Sequence, residues 1–302
     1  MTKVFLRVAM GFLLLSWPAM TFAQPVAVSC EPLGLSTSEL AEWRSDGFET
    51  DRPDEAALQL ADCLAQPDPF LRDSVGYEGL TVLLRGGGVS ETTRRALAQW
   101  LSAALDATDE QGFSRPFAAL ALSEVARTDR IEPFLVPGER AALVITATDY
   151  LGNVEDYRGF DDEAGWRHGV AHGADLILQL VLNPEVSGEQ LQAMMEAVAY
   201  QVMPRVPHAY VFGEPQRLAR PVLYAAARES LPPEFWGEWF ASLVDPAPLA
   251  QWQDAFHSEQ DLARLHNLRS FALSVFAGAQ MSDNRALQPL LTESRKLLEV
   301  LP

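Results

Sequence analysis

The sequence is short of cysteine, of basic residues and of strand patterns, and each shortage narrows what the chain can be. Only two cysteines occur in 302 residues, so thiolate metal clusters and Cys-x-x-Cys redox pairs are excluded. There are 23 Lys and Arg residues against 41 Asp and Glu, a formal net charge of −18. Because nucleic acids and anionic lipids are bound through clustered basic residues, and we find no basic patch in the sequence, neither is expected as a partner.

Motifs for several common chemistries are also missing. The sequence contains no glycine-rich phosphate loop, no Gly-x-Ser-x-Gly elbow and no EF-hand loop. Alternation of β-branched residues over four or more positions is almost absent, which leaves little room for a sheet.

The N-terminus has the pattern of a secretory signal peptide. Lys3 and Arg7 precede an apolar run over residues 8–17, and the small residue Ala23 follows at a suitable cleavage position. The run is shorter than the ~20 residues that cross a bilayer, although a retained anchor is the alternative. We predict a signal peptide over residues 1–23, a periplasmic or secreted mature chain without a membrane span, and a mature net charge of −20 after loss of the two cations.

The two cysteines, Cys30 and Cys63, both lie near the start of the mature chain. In an oxidising compartment a pair of this kind most simply forms one disulfide. Lipidation of Cys30 and free buried thiols are the alternatives. We predict the disulfide.

Helix signals recur along the remaining chain and predict an all-α fold. Examples are the capping box Ser36–Glu39, the N-cap Ser90 and the stops at Gly86–Gly88 and Asn183–Pro184. About a dozen helices with short connections predict stacked antiparallel helix hairpins in one domain over residues 24–302. An open α-α superhelix of HEAT-like pairs is preferred to a closed α/α toroid.

The most informative stretch is Asp156–Leu176, which leads into a helix predicted from about Glu163 to Leu182. Most of that helix is apolar, as expected of a buried helix. At ~100° per residue its polar side chains share one narrow stripe: His168, His172, Asp175 and Gln179.

Two histidines four residues apart on a helix could bind one divalent metal from the same face. The Glu that follows the first His in zinc proteases is missing here, because Gly169–Ala171 separate the two. Asp175 lies ~10.5 Å along the axis from His168, too far to share the ion. Asp175 is therefore predicted to accept a hydrogen bond from His172 and to orient it. No cofactor is required by the sequence.

Two carboxylates precede the stripe, and they are candidates for acid/base work with His168: Glu155 and Asp156. The acidic run that follows them is explained as well by favourable charge at a helix N-terminus. On the wheel Trp166 falls opposite the histidines and is assigned to the core.

The competing interpretation is a structural polar seam in which the stripe bonds to neighbouring helices. A buried Asp175 would then require a partner, with Arg158, Arg167 and Arg217 as candidates. Glu214 and Arg217 are three apart at a helix start and can pair. Asn267 is expected to cap or bridge helices.

Several ordered blocks of the sequence resemble the bacterial family called domain of unknown function 2785. They are Phe113–Leu120, in which Pro116 stands where the family has a small polar residue, Asp149–Gly159, Gly165–Asp175, Val211–Ala219 and His266–Phe271. The resemblance extends from Phe113 to Ala279, implies an all-helical domain and implies no particular reaction.

Two functions are consistent with the sequence. The first is a binding or scaffold protein whose ligand is a protein or a small molecule, because helical solenoids act through extended surfaces. The second is a hydrolase that uses His168 and His172 as metal ligands or as acid and base.

Overall fold

A computed structural model describes residues 30–204, 206–232 and 234–302, so the predicted signal peptide lies outside the described residues. The described chain is all-α, as predicted. Its α-helices are α1 Thr37–Ser45, α2 Pro53–Cys63, α3 Glu78–Gly86, α4 Glu91–Asp106, α5 Ser114–Ile131, α6 Pro137–Gly152, α7 Gly169–Val181, α8 Gly188–Val202, α9 Glu214–Ala227, α10 Phe235–Val244, α11 Glu259–Gln280 and α12 Gln288–Val300. A π-helical segment, Phe70–Tyr77, leads into α3.

The helices form two rows. Helices α3, α5, α7, α9 and α11 pack successively side by side, and α2, α4, α6 and α8 form a second row against them. Neighbours along the chain, such as α4 with α5 and α6 with α7, pair as hairpins across the rows. Over the described residues α11, at one end of the row, makes no substantial contact with α3 at the other end. The row is therefore open, as in an open superhelix.

Local sequence explains why these segments are helices. Ser90 caps α4 by accepting a hydrogen bond from the Thr93 amide, which satisfies a donor left free in the first turn. Leu97, Leu101 and Leu105 then recur at helical spacing and are buried. Burial of such a side chain contributes about 2 kcal/mol, so the apolar face fixes how the helix packs.

Helix α7 occupies the middle of its row and is enclosed by α5, α6 and α9. Most of its residues are buried, as its composition predicts. It is the element that positions the site described below.

The predicted start of this central helix, near Glu163, is wrong. Residues Phe160–Asp161 and Gly165–Trp166 instead form a two-stranded antiparallel hairpin, and helix begins at Gly169. Gly165 and His168 have φ values of 72° and 59°, a left-handed conformation that a right-handed helix cannot contain.

The disulfide between Cys30 and Cys63 is present and ties residue 30 to the end of α2. A Cβ at Gly76 would lie 3.0 Å from the Cys63 Cβ. Glycine at 76 therefore lets the π-helical segment pack closely on the disulfide-bearing helix.

A buried network holds the C-terminal end of α7. The Asp129 carboxylate accepts hydrogen bonds from Arg140 Nε at 2.7 Å, from the Leu135 amide at 2.8 Å and from Asn183 Nδ2 at 3.0 Å. Burial opposes ionisation of Asp129, but the hydrogen bonds from Arg140 and from the Leu135 and Phe134 amides outweigh it and lower the pKa of the carboxyl. From the next hairpin, Arg228 donates to the carbonyl of Val181, the last residue of α7, and to those of Asn183 and Val186 just beyond it.

None of the helices in the described parts of the chain combines the length and the apolar character needed to cross a bilayer.

Candidate functional site

The N-terminal end of α7 begins with a residue in an uncommon conformation. His168 is the N-cap, with φ 59° and ψ 40°, and its side chain does not cap the helix. Its amide donates to the Arg158 carbonyl at 3.1 Å, and the Arg167 amide donates to the Gly159 carbonyl at 2.9 Å. A left-handed non-glycine residue costs about 1–2 kcal/mol, so the pairing with residues 158–159 must hold it in place.

The conformation turns the His168 ring into the protein, where only 8% of its side chain is exposed. Trp166 stacks on it with ring centroids 4.7 Å apart and planes at 21°. The Nε2 atom is buried without a hydrogen-bond partner and lies 3.6 Å from Glu214 Oε1. That distance is too long for a hydrogen bond.

Glu214 is the first residue of α9 and is itself buried. Its other carboxylate oxygen accepts a hydrogen bond from the Phe212 amide at 2.9 Å. Glu214 therefore faces His168 and the loop before its own helix. The predicted pairing of Glu214 with Arg217 does not form, because Arg217 points to α7.

Burial, with a smaller contribution from the positive charge of Arg217, lowers the pKa of His168 to about 4. The imidazole is then neutral at neutral pH. It cannot donate a proton as an imidazolium there, and its contact with Glu214 is not an ion pair.

His172 lies one turn further along α7, packed edge-on against Phe117 at 5.2 Å. Its Nδ1 lies 3.2 Å from the Pro116 carbonyl, which can only accept, so Nδ1 carries the proton. Burial, and next the neighbouring His168, lower the pKa of His172 to about 3. The prediction that Asp175 orients His172 is wrong, because the carbonyl of α5 does so.

Asp175 instead forms an ion pair with Arg217, one of its three predicted partners, and a second with Arg220 at 3.6 Å. The Asp175 side chain is 14% exposed, whereas those of Arg217 and Arg220 are 40% and 51% exposed. Burial raises the pKa of Asp175, and the charge of Arg217 opposes that rise. A buried carboxylate thus holds two arginines at the surface.

A second carboxylate of this row, which contains α3, α5, α7 and α9, also pairs with an arginine of the neighbouring helix. Arg85 of α3 donates to both carboxylate oxygens of the buried Glu124 of α5, at 2.8 and 2.6 Å. On α5, Arg130 donates to Gln179 of α7 at 3.4 Å. We call this surface the arginine face and define it by Arg85, Glu124, Arg130, Asp175, Gln179, Arg217 and Arg220.

The two carboxylates predicted to act with His168 lie elsewhere. Glu155 and Asp156 line a small cleft with Asp109 and Arg115, and its wall includes Gly169 but not the imidazole of His168. Asp156 accepts from Arg158 Nε at 2.8 Å. Burial opposes its ionisation, but the bonds from Arg158 hold the pKa of Asp156 below its usual value. The charge acting on His168 comes from Arg217 and not from these carboxylates.

The geometry gives the metal hypothesis no support. The rings of His168 and His172 are 5.8 Å apart at 63°, and the Nδ1 of His172 is occupied by Pro116. Over the described residues, His, Cys, Asp and Glu side chains nowhere converge in threes to form a possible metal site. The divalent metal suggested by the sequence therefore remains an untested prediction.

Trp166 is half-buried and packs against the core, but the predicted helical placement is wrong. It sits in the hairpin, not in the helix, and joins Phe160 at 5.0 Å and Phe212 at 5.8 Å in edge-to-face contacts above His168. A Cβ at Gly159 would lie 2.0 Å from the Phe212 ring. Glycine at position 159 therefore allows the Phe212 ring to pack against the hairpin. This contact is the physical reason for the glycine in the Arg158–Gly159 pair.

Arg72 was missed from the sequence and is completely buried. Its guanidinium lies 4.3 Å from the centroid of the Phe113 ring and 4.8 Å from that of Phe117, and it donates to the Ala164 carbonyl at 2.8 Å. Arg72 thus fixes the hairpin that carries Trp166. The available signal was a lone arginine within the apolar segment that precedes α3.

Asn267 bridges α11 to the segment before α9, as expected. Its side chain accepts from the Tyr210 amide at 2.9 Å and donates to the His208 carbonyl at 2.8 Å. This contact positions the chain that leads to Phe212 and Glu214, so Asn267 supports the site without touching it.

Fold and site together define a two-row helical-repeat protein with a strained, buried histidine cluster beside an arginine-bearing face. The family model "Protein of unknown function (DUF2785)" matches residues 101–276, more than half of the chain, and the chain belongs to this family. The match runs from within α4 to within α11, so it includes the histidine cluster but not Arg85 of α3. No curated protein and no solved structure matches the chain.

Proposed function

We propose that the protein is a secreted binding module that uses the arginine face to hold a partner. The observation that carries the proposal is the repeated pairing of a buried carboxylate with half-exposed arginines across α3, α5, α7 and α9. Guanidinium groups fixed in this way are pre-organised for binding, because little side-chain freedom remains to be lost.

The histidine cluster supports binding better than hydrolysis. At neutral pH both imidazoles are neutral, so neither is ready to act as a general acid, and the Nδ1 proton of His172 is already donated to the Pro116 carbonyl. Glu155 and Asp156, which the hydrolase hypothesis needs beside His168, line a cleft whose wall includes Gly169 but not the imidazole of His168. The strained His168 instead packs beside Glu214, the first residue of the helix that carries Arg217 and Arg220.

Secretion is part of the proposal. The signal-peptide pattern over residues 1–23 and the disulfide between Cys30 and Cys63 both favour an oxidising compartment. Intact-mass measurement of the protein from its native cells tests this: the expected mature chain starts at Gln24 and has both cysteines oxidised. A chain that retains Met1 and two free thiols would contradict it.

Site-specific photo-cross-linking tests the binding face. Benzoylphenylalanine replaces Tyr224, which is exposed on α9 one turn beyond Arg220, or Tyr200, a similarly exposed tyrosine on α8 in the other row. Irradiation of cells that express the protein natively should give a discrete cross-linked product from position 224 and little from position 200. No product from position 224, or equal products from both, would refute the binding face.

A further inference from the structure

We infer that the arginine face binds an extended acidic peptide, whose carboxylates are held by Arg217 and Arg220. This inference rests on the proposed function, since it names the ligand of the same surface. It follows from the charge, the donor geometry and the length of the face.

The charge of the face is opposite to that of the chain. The whole chain has a net charge of −18, yet the face contains four arginines and two carboxylates. The carboxylates of Glu124 and Asp175 are buried beneath the guanidinium groups that they hold. A ligand that approaches the face therefore meets cations, and an anionic group is attracted locally.

The donors of Arg217 and Arg220 are only partly used. A guanidinium has five N–H donors in a planar fork, and Asp175 is met through Nη1 of each arginine. The two arginines are three residues apart on α9, so they lie on one side of the helix. Such a pair can present N–H groups to a carboxylate in the two-point geometry that arginine favours.

The length of the face indicates an extended ligand. Packed helices lie about 9 Å apart, so the steps from α3 to α5, α7 and α9 span about 27 Å. A small anion could touch only one end of this surface. An extended peptide advances about 3.3 Å per residue, so about eight residues would cover it.

An acidic peptide fits better than a nucleic acid of the same length. A DNA duplex carries one negative charge per ~1.7 Å of its axis, about twice the density of an extended peptide with a carboxylate on every residue at ~3.3 Å. The small excess positive charge of the face therefore suits the peptide better. The exposed ring of Tyr224, one turn from Arg220, adds an apolar contact for a side chain of the peptide.

Fluorescence anisotropy with a labelled octaglutamate peptide tests the inference on the full mature chain. We expect saturable binding that weakens as salt is raised, and no binding of the octaglutamine peptide. Arg220→Ala should weaken binding at least tenfold, and it leaves Asp175 paired with Arg217. Arg52→Ala is the matched control, because Arg52 is equally exposed, also pairs with a carboxylate and caps α2, a helix of the other row.

A second variant guards against misfolding. Arg217→Lys with Arg220→Lys keeps both charges and the ion pairs with Asp175 but removes the planar fork, and it should still weaken binding several-fold at an unchanged melting temperature. Equal losses for Arg220→Ala and Arg52→Ala would overturn the inference, since net charge alone would then decide binding. Tighter binding of an octagalacturonate, a sugar polyanion with the same number of carboxylates, would also overturn it.

The outcomes separate this inference from the proposed function. If position 224 cross-links a partner but octaglutamate does not bind, the face binds and the ligand class is wrong. If neither occurs, the binding function itself fails.

Discussion

The two ends of α7 both contain buried polar groups, but they are built differently. At the C-terminal end Asp129 accepts hydrogen bonds from Arg140, Asn183 and two amides, so its charge is compensated in full. At the N-terminal end His168 has a buried Nε2 without a partner, a left-handed backbone and a carboxylate just out of hydrogen-bond range.

The difference separates stability from function along one helix. A buried network whose members are all bonded stabilises one packing arrangement, whereas an unbonded buried group and a strained backbone reduce stability. Strain of this kind persists where surrounding structure holds it, and it is concentrated at functional sites. The C-terminal end therefore anchors α7, and the N-terminal end carries the strained histidine cluster.

The largest expected effect is at the anchor. Asp129→Ala leaves the buried guanidinium of Arg140 without its partner, so the free energy of unfolding should fall by about 3–5 kcal/mol. Urea unfolding at pH 7 measures it, with Asp149→Ala on the exposed side of α6 as the control. A loss no greater than that of the control would remove the distinction between the two ends.

The next effect is a pH dependence that arises at the N-terminal end. His168 and His172 have folded-state pKa values of about 4 and about 3, below the ordinary value of 6.5. Between pH 6.5 and about 4 the unfolded chain binds protons that the folded protein does not, so stability is present above pH 6.5 and falls as the pH is lowered. The slope approaches ~1.4 kcal/mol per pH unit for each histidine at most.

His172→Gln tests the origin of that slope. Glutamine can still donate to the Pro116 carbonyl but does not titrate, so urea unfolding at pH 7, 6 and 5 should show a shallower dependence than the wild type. His257→Gln, at an exposed position, serves as the comparison and should leave the slope as it was. An identical slope in the His172 variant would show that the acid sensitivity comes from other groups.

A smaller effect is expected above the cluster. Gly159→Ala forces the Phe212 ring away, because the new Cβ would lie 2.0 Å from it. Phe212 can move toward solvent, so the free energy of unfolding should fall by only about 1–2 kcal/mol. The fluorescence of Trp166, which Phe212 contacts, should change with it. Gly138→Ala, where a Cβ would meet nothing, is the matched substitution.

The smallest effect is expected at His168 itself. His168→Gly removes the left-handed strain and the unpartnered nitrogen, which offsets the lost stacking on Trp166, so thermal and urea unfolding should change by less than about 1 kcal/mol. A loss above about 2 kcal/mol would mean that His168 is as structural as Asp129, and the contrast between the two ends would disappear.

The all-α class and the burial of α7 followed from the sequence, because periodicity and capping are local. The start of α7 did not, since a helical wheel assumes helical backbone at every position and Gly165 and His168 are left-handed. Because the wheel assumed a helix there, it also placed Trp166 opposite the histidines. Trp166 instead lies in the hairpin, and its ring stacks on His168.

The site was predictable only in part. His168 and His172 were identified because they lie close together on one helix. The arginine face was not, since Arg85 and Glu124 are 39 residues apart and Asp175 and Arg217 are 42 apart. Pairs at such separations are set by how helices stack, and a single sequence does not reveal that order.

The two-row arrangement has a consequence for how the protein unfolds. Each hairpin rests mainly on its neighbours, so stability is a sum of local and nearest-neighbour contributions. The end hairpins have a neighbour on one side only, and opening should start there and advance inward. Backbone amides of α5 and α7 should then exchange with solvent last, and the covalent link at Cys30 should slow opening from the N-terminal side. The part of the arginine face on α7 and α9 would thus persist in partly opened molecules after Arg85 of α3 has been lost from it.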